Sequence, residues 1–479
     1  MKKYFTEKWG IFEITLQGPT DGNPFVDVKL QAIFKHNHRE IIVDGFYDGE
    51  GIYKIRFMPD SEGRWEYITL SNRPELDNKR GEFECVKPST GNHGPVRIKN
   101  KYHFCYEDGT PYYPFGTTCY AWIHQPEYLQ EKTLETLKKS PFNKIRMCVF
   151  PKHYPFNNNE PLYYPFEGSV EKGWDFSRFN PQFFRHLEKR VKDLMDLGIE
   201  ADIILFHPYD RWGFANMGRE NDERYLRYIV ARLSAFRNVW WSLANEYDAV
   251  ESKNITDWDR YFKVVQESDP YQHLRSIHNM VNFYDHSKPW VTHLSVQTHY
   301  LGDIGKWREQ YKKPVLIDEC GYEGNIEYGW GNLTAEELVR RFWEGVVRGG
   351  YVTHGETYLH PEDILWWSKG GELYGDSPER IRFLKKIVEE APINEINPTS
   401  LNRWDVICGG KEGEYYLMYF GNARPAERTI NLPKGKKFKI DIIDTWKMTI
   451  TPLDGLFEGD VKIKLPGKPY IAIRIIKVE

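Results

Sequence analysis

Apolar and polar positions along the chain fall into three regimes. Up to about residue 95 the apolar runs are short and separated by turn residues, as in Phe12 to Leu16, Val26 to Phe34, Ile52 to Phe57 and Trp65 to Leu70. Within Ile52 to Phe57 the large apolar side chains mostly take alternate positions while Lys54 and Arg56 face the other way, which is the pattern of a strand buried on one face. These strands predict an immunoglobulin-like β-sandwich over residues 1–95.

From residue 96 to 395 short apolar runs alternate with amphipathic helices, the signature of repeated βα units around a parallel sheet. The predicted strands are Tyr113 to Thr118, Lys144 to Phe150, Ala201 to Phe206, Val239 to Ala244, Leu274 to His278, Leu294 to His299, Val315 to Asp318 and Tyr351 to Thr353. Eight such strands close a (β/α)8 barrel. Asn180 before Pro181 predicts a helix start, Phe183, Leu187, Val191 and Leu194 follow at helical spacing, and Gly198 ends the helix. Thr334 with Glu337 has the spacing of a capping box, and Ser377-Pro378-Glu379 opens a further helix; these two are read as the seventh and eighth outer helices. After Pro392 and Pro398 the strand pattern returns and predicts a second β-sandwich over residues 396–479. The expected fold is therefore α/β, a TIM barrel flanked by two β-sandwich domains.

Composition narrows the function. At 479 residues, 28% charged and 40% hydrophobic, the chain is a folded protein of several domains. Its 65 Lys and Arg against 69 Asp and Glu are spread without long blocks, so no nucleic-acid or anionic-membrane partner is expected. Nothing approaches a membrane-spanning apolar run and the N-terminus lacks a signal-peptide core, which predicts a cytoplasmic protein. The six cysteines stand singly, which supports neither a disulfide framework nor a zinc knuckle.

In a barrel of this type the chemistry sits at the C-terminal ends of the strands. Those ends carry Arg146, His207, Asn245 with Glu246, His278 with Asn279, His299 with Tyr300, Glu319, and His354 with Glu356. The histidines raise the question of a metal, but no HxH follows strand one and no HExxH is present, so neither metal nor other cofactor is expected. Glu246 and Glu319 each end a strand, the fourth and the seventh, which face one another across a barrel mouth. Two such carboxyls meet the requirement of glycoside hydrolysis: one protonates the leaving oxygen and the other attacks the anomeric carbon.

At these residues the chain resembles the clan A glycoside hydrolases, with Asn245-Glu246 at the end of strand four and Glu319 at the end of strand seven. The resemblance implies that Glu246 is the acid/base, Glu319 the nucleophile and Asn245 a partner of the sugar 2-hydroxyl. It further implies that Arg146 keeps Glu319 ionised and that His299 and Tyr300 lie beside it. The segments DGFYDGEGIYKIRFMP, PFGTTCYAW, LFHPYDRWGF, NVWWSLANEYD and LWWSKGGELYGDSPERIRFL resemble proteins with an apiosidase-like catalytic barrel between an N-terminal domain of unknown function and a small C-terminal sandwich. Strand eight departs from the clan: it runs YVTHGETYLH and lacks the tryptophan that floors the sugar site. Trp366 or Trp367, Trp122 or Trp212 must then supply the platform, with His207 and Glu356 as further candidate sugar contacts.

The function expected is a retaining glycoside hydrolase, exo-acting on small oligosaccharides or glycosides. Two alternatives stay open: a carbohydrate-binding protein without catalysis, and a transglycosidase using the same two carboxylates. The flanking domains could complete the site, build a homo-oligomer or shield the barrel.

Overall fold

The computed structural model describes residues 4–362 and 365–478; the outermost residues of the two expected flanking domains, 1–3 and 479, lie outside it. The barrel strands are β1 (Gly116–Thr118), β2 (Lys144–Cys148), β3 (Glu200–Phe206), β4 (Val239–Ala244), β5 (Arg275–Ser276), β6 (Leu294–Gln297), β7 (Val315–Glu319) and β8 (Tyr351–His354). They pair in parallel in the order β5-β4-β3-β2-β1-β8-β7-β6. A parallel bridge from His278 to Ser295 joins the two edges and closes the (β/α)8 barrel.

The first strand is shorter than its apolar run predicts because Pro114 has no N–H to give a ladder. Pro111–Tyr112 instead joins Val96–Lys99 and His103–Tyr106 in a three-stranded sheet, whose Phe104 and Tyr112 pack on Trp240, Leu316 and Tyr351 at the N-terminal end of the barrel. This plug leaves the C-terminal mouth as the open end.

Among the described residues seven helices of eight or more residues surround the strands: α1 (Glu127–Lys139), α2 (Pro181–Asp196), α3 (Arg219–Leu233), α4 (Ile255–Ser268), α5 (Ile304–Tyr311), α6 (Ala335–Val347) and α7 (Ser377–Glu389). The helices read as seventh and eighth follow β7 and β8, and among the described residues no helix follows β5. Asn180 caps α2 by accepting from Gln182 N, and Gly198 takes φ +71° to end it. At α6 only half of the expected capping box forms. Thr334 Oγ1 accepts from Glu337 N at 3.2 Å, while the Glu337 carboxylate turns to Arg340 and Arg341.

The N-terminal domain packs a five-stranded on a three-stranded antiparallel-rich sheet, with Phe34 of one stacked on Phe57 of the other at 4.0 Å. The expected strand from Val26 starts only at Leu30, because Asn23 and Pro24 open a short helix over Pro24–Asp27. Asp48 and Arg56 dock this domain through buried ion pairs to Arg232 on α3 and Glu188 on α2. The C-terminal domain has a six-stranded and a two-stranded sheet. Its Gly409 lies so close to the Val347 carbonyl at the end of α6 that a Cβ there would collide with it.

Candidate active site

Glu246 follows β4 directly and adopts left-handed backbone angles, φ +49° and ψ +53°, a conformation that costs a non-glycine residue about 1–3 kcal/mol. Hydrogen bonds on either side hold it there: Asn245 N donates to Phe206 O at 3.0 Å and Tyr247 N to His278 O at 2.9 Å. Glu319 arrives from across the barrel. Between β6 and β7 the register slips, so that Val296 opposes Ile317 but Gln297 opposes Glu319. This bulge lets two successive side chains serve the barrel interior, Asp318 deeper and Glu319 at the mouth.

Gln297 then joins the two carboxyls. With its amide turned to donate, Nε2 lies 3.1 Å from Glu319 Oε2 and 3.3 Å from Glu246 Oε1. Both oxygens lie within reach of this one nitrogen, which puts them no more than about 6.4 Å apart. Tyr209 donates to Glu246 Oε2 at 2.5 Å, and the Tyr120 hydroxyl lies against both Glu319 Oε1 and Asn245 Oδ1.

Arg146 does not pair with Glu319, contrary to expectation. Its guanidinium reaches Asp202, Asp318 and Ser295, each at 3.3 Å, and Asn245 Oδ1 at 3.1 Å. Lys144, two residues earlier on the same inward face, bonds Asp202 at 2.8 Å and Asp318 at 3.0 Å. These two cations and two carboxylates form a fully buried layer beneath the site. Despite burial, Lys144 and Arg146 hold the Asp318 carboxyl far below the usual range. Glu319 has no such cation: loss of hydration pushes its carboxyl up to about 8, although one side opens on the cleft.

The cleft holding both carboxyls encloses about 660 Å3. Its walls are aromatic, with Trp367 central: its ring lies 5.1 Å from Trp330, 5.3 Å from Tyr154 and 5.4 Å from Phe156. Behind that wall Lys152 is 2% exposed, with its ammonium 3.8 Å from the Tyr120 ring, 4.2 Å from Tyr209 and 4.4 Å from Tyr154. Burial lowers its pKa to about 8.

Of the other residues singled out from sequence, His299 lines the cleft and contacts Arg341 through Nδ1 at 3.2 Å. The rest stand outside it. His207 is buried with Nε2 on Phe150 O, and Trp122 is wholly enclosed in the barrel core. Trp212 stacks on Phe214, and Trp366 turns inward to bond Thr117 Oγ1 at 2.8 Å. Glu356 accepts from the backbone of Tyr374 and Gly375. Tyr300 is 67% exposed on the far side of the rim. Sequence reasoning missed Tyr120, Lys152, Tyr209, Gln297, Tyr322 and Trp330. Tyr120, Tyr209 and Tyr322 each follow a strand end within a few residues and could have been found that way; Trp330 sits in a single 3-10 turn, Gly329–Gly331, away from any strand end. Among the described residues no group of three or more His, Cys, Asp or Glu is placed to hold a metal, and no helix is long and apolar enough to cross a membrane.

Paired carboxyls from the fourth and seventh strands of a (β/α)8 barrel, walled by aromatic rings, are the arrangement that the glycoside hydrolase class requires. Residues 98–394 match the model of the apiosidase-like catalytic domain, and residues 6–72 and 404–476 match two domains of unknown function, DUF5060 and DUF5605. The chain belongs to the apiosidase-like catalytic-domain family. A Bacteroides vulgatus protein provisionally named a glycoside hydrolase is 42% identical over the whole of both chains, with a TM-score of 0.94. A family 5 glycoside hydrolase from the same organism shares the fold at 16% identity, over 81% of this chain and 94% of its own, with a TM-score of 0.65. A search of curated proteins finds no match.

Proposed function

We propose that the protein is a retaining glycoside hydrolase in which Glu246 is the acid/base and Glu319 the nucleophile, exo-acting on oligosaccharides or glycosides. The observation that carries this is Gln297, whose one amide nitrogen reaches both carboxyls and so keeps their facing oxygens within about 6.4 Å of each other. Retaining enzymes space their carboxyls by about 5–5.5 Å, whereas inverting enzymes leave about 6.5–9.5 Å for a water molecule. The pair must carry one proton, and the high pKa of Glu319 keeps it from ionising twice near neutral pH. For the attack the shared proton must sit on Glu246, which delivers it to the leaving oxygen as the ionised Glu319 bonds the anomeric carbon. The Glu246 carboxylate, steadied by Tyr209, then takes a proton from water as the water oxygen attacks the anomeric carbon and breaks its bond to Glu319. Arg146 and Tyr120 hold the Asn245 carbonyl oxygen, which turns the amide N–H2 toward the sugar. A cleft of about 660 Å3 suits a short oligosaccharide.

The high pKa of Glu319 favours one rival assignment, with Glu319 as the acid and Glu246 as the nucleophile. Azide rescue separates the two on a panel of aryl glycosides. Glu319→Ala with azide yields a glycosyl azide of inverted configuration if Glu319 is the nucleophile, and Glu246→Ala yields it if the roles are exchanged. Full activity in both variants would end the glycosidase reading.

A further inference from the structure

The peptide bond between His299 and Tyr300 separates two hollows. His299 lines the catalytic cleft, and Tyr300 lines a groove of about 410 Å3 between the barrel rim and the C-terminal domain. Of the four aromatic residues on this groove, Tyr419 and Phe420 are buried while Tyr300 and Trp404 are bare. Tyr300 lies flat over Gly302, where a Cβ would strike the ring, and its other face is open. Trp404 is 98% exposed at the tip of the turn Arg403 to Val406, which is closed by Arg403 N donating to Val406 O at 2.9 Å. Its neighbour Asp405 is fixed by Arg428 Nη1 at 2.5 Å.

A tryptophan held in water on a rigid turn marks a surface that something covers. The remaining lining says what kind of molecule. Asn402, Asn422 and the Arg403 guanidinium supply planar hydrogen-bonding groups. The nearby Arg340 and Arg348 are neutralised by Glu337 and Glu344. Exposed ring faces beside amides, paired arginines and the Arg403 guanidinium, which bonds the Ser400 and Asn402 carbonyls, fit the C–H faces and hydroxyls of sugars, and give a strongly acidic or wholly apolar partner little to hold. We propose that this groove is a second carbohydrate site, which grips the part of a glycan chain that runs past the catalytic cleft around Tyr300. The choice of a carbohydrate rests on the glycosidase reading above. An exo-acting enzyme would thereby hold the body of the chain while its end occupies the cleft.

The test uses native affinity gels containing galactomannan, xyloglucan, arabinoxylan or pectin, with full-length Glu319→Gln protein so that nothing is cut. At least one polysaccharide is expected to retard it, and adding Trp404→Ala or Tyr300→Ala should weaken that retention about tenfold. The Trp404→Ala melting temperature should stay within about 1 °C, since the ring packs against nothing. No retardation by any of the four, or equal retardation of the variants, overturns the proposal. So does a change of oligomeric state in Trp404→Ala, which would make the ring a contact with a second copy. Aryl-glycoside hydrolysis by wild type is scored separately. Hydrolysis without retardation sinks only the groove, and retardation without hydrolysis sinks only the glycosidase reading.

Discussion

Replacing Lys152 by methionine should make the protein more stable at neutral pH. The ammonium is buried and ringed by Tyr120, Tyr154 and Tyr209. Keeping it charged there, with its pKa lowered from 10.5 to about 8, costs about 3 kcal/mol. The ring faces return about 1–2 kcal/mol of this. Methionine keeps the unbranched shape and the contacts without the charge, so the net gain is about 1–2 kcal/mol, or about 2–3 °C in melting temperature. The sign with pH follows from where each state loses its proton. The folded protein releases it near pH 8 and the unfolded chain near 10.5, so the penalty is full below pH 8, shrinks between the two values and vanishes above them. Calorimetric melts of wild type and Lys152→Met from pH 6 to pH 11 should therefore start apart and converge. A methionine variant that melts lower at pH 7 would refute the reasoning, because the rings would then outweigh the lost hydration.

Glu319→Gln should show the opposite trend with pH. The wild-type carboxyl keeps its proton to about pH 8 while the unfolded chain loses it near 4.5. Stability present below 4.5 is thus lost as pH rises toward 8, by up to about 5 kcal/mol less what cleft water returns, and denaturant titrations at pH 5 and pH 9 should show the variant free of that loss. Gln297→Ala removes the donor between the two carboxyls and should lower kcat by about 10²–10³, read on any aryl glycoside the wild type cleaves. Asp48→Ala leaves Arg232 sharing Glu188 with Arg56 at the junction of the N-terminal domain and the barrel, two buried cations on one acid, and should cost about 3 kcal/mol in a melt.

The barrel was legible because its strands are buried on both sides and read as plain apolar runs, and the two carboxyls because each ends such a run. Other features turn on a phase that no run of letters contains. Trp366 and Trp367 are neighbours in a helix of four residues, Trp366–Lys369, so their side chains point about 100° apart; one enters the core and the other the cleft. Arg146 was expected to meet Glu319 and meets Asp318 instead, because the register slip at Gln297 sends consecutive acids to different depths. The unit after β5 has no helix of its own, since the chain from His278 to His293 is spent on turns before β6.

The layer of Lys144, Arg146, Asp202 and Asp318 also bears on how this family can vary. Each cation touches both acids, so any single neutral replacement leaves an uncompensated charge in the middle of the barrel. A lineage cannot drift through these positions one at a time; it must exchange a cation and an acid together or keep all four. Inheritance therefore treats four residues from three separate strands as a single character.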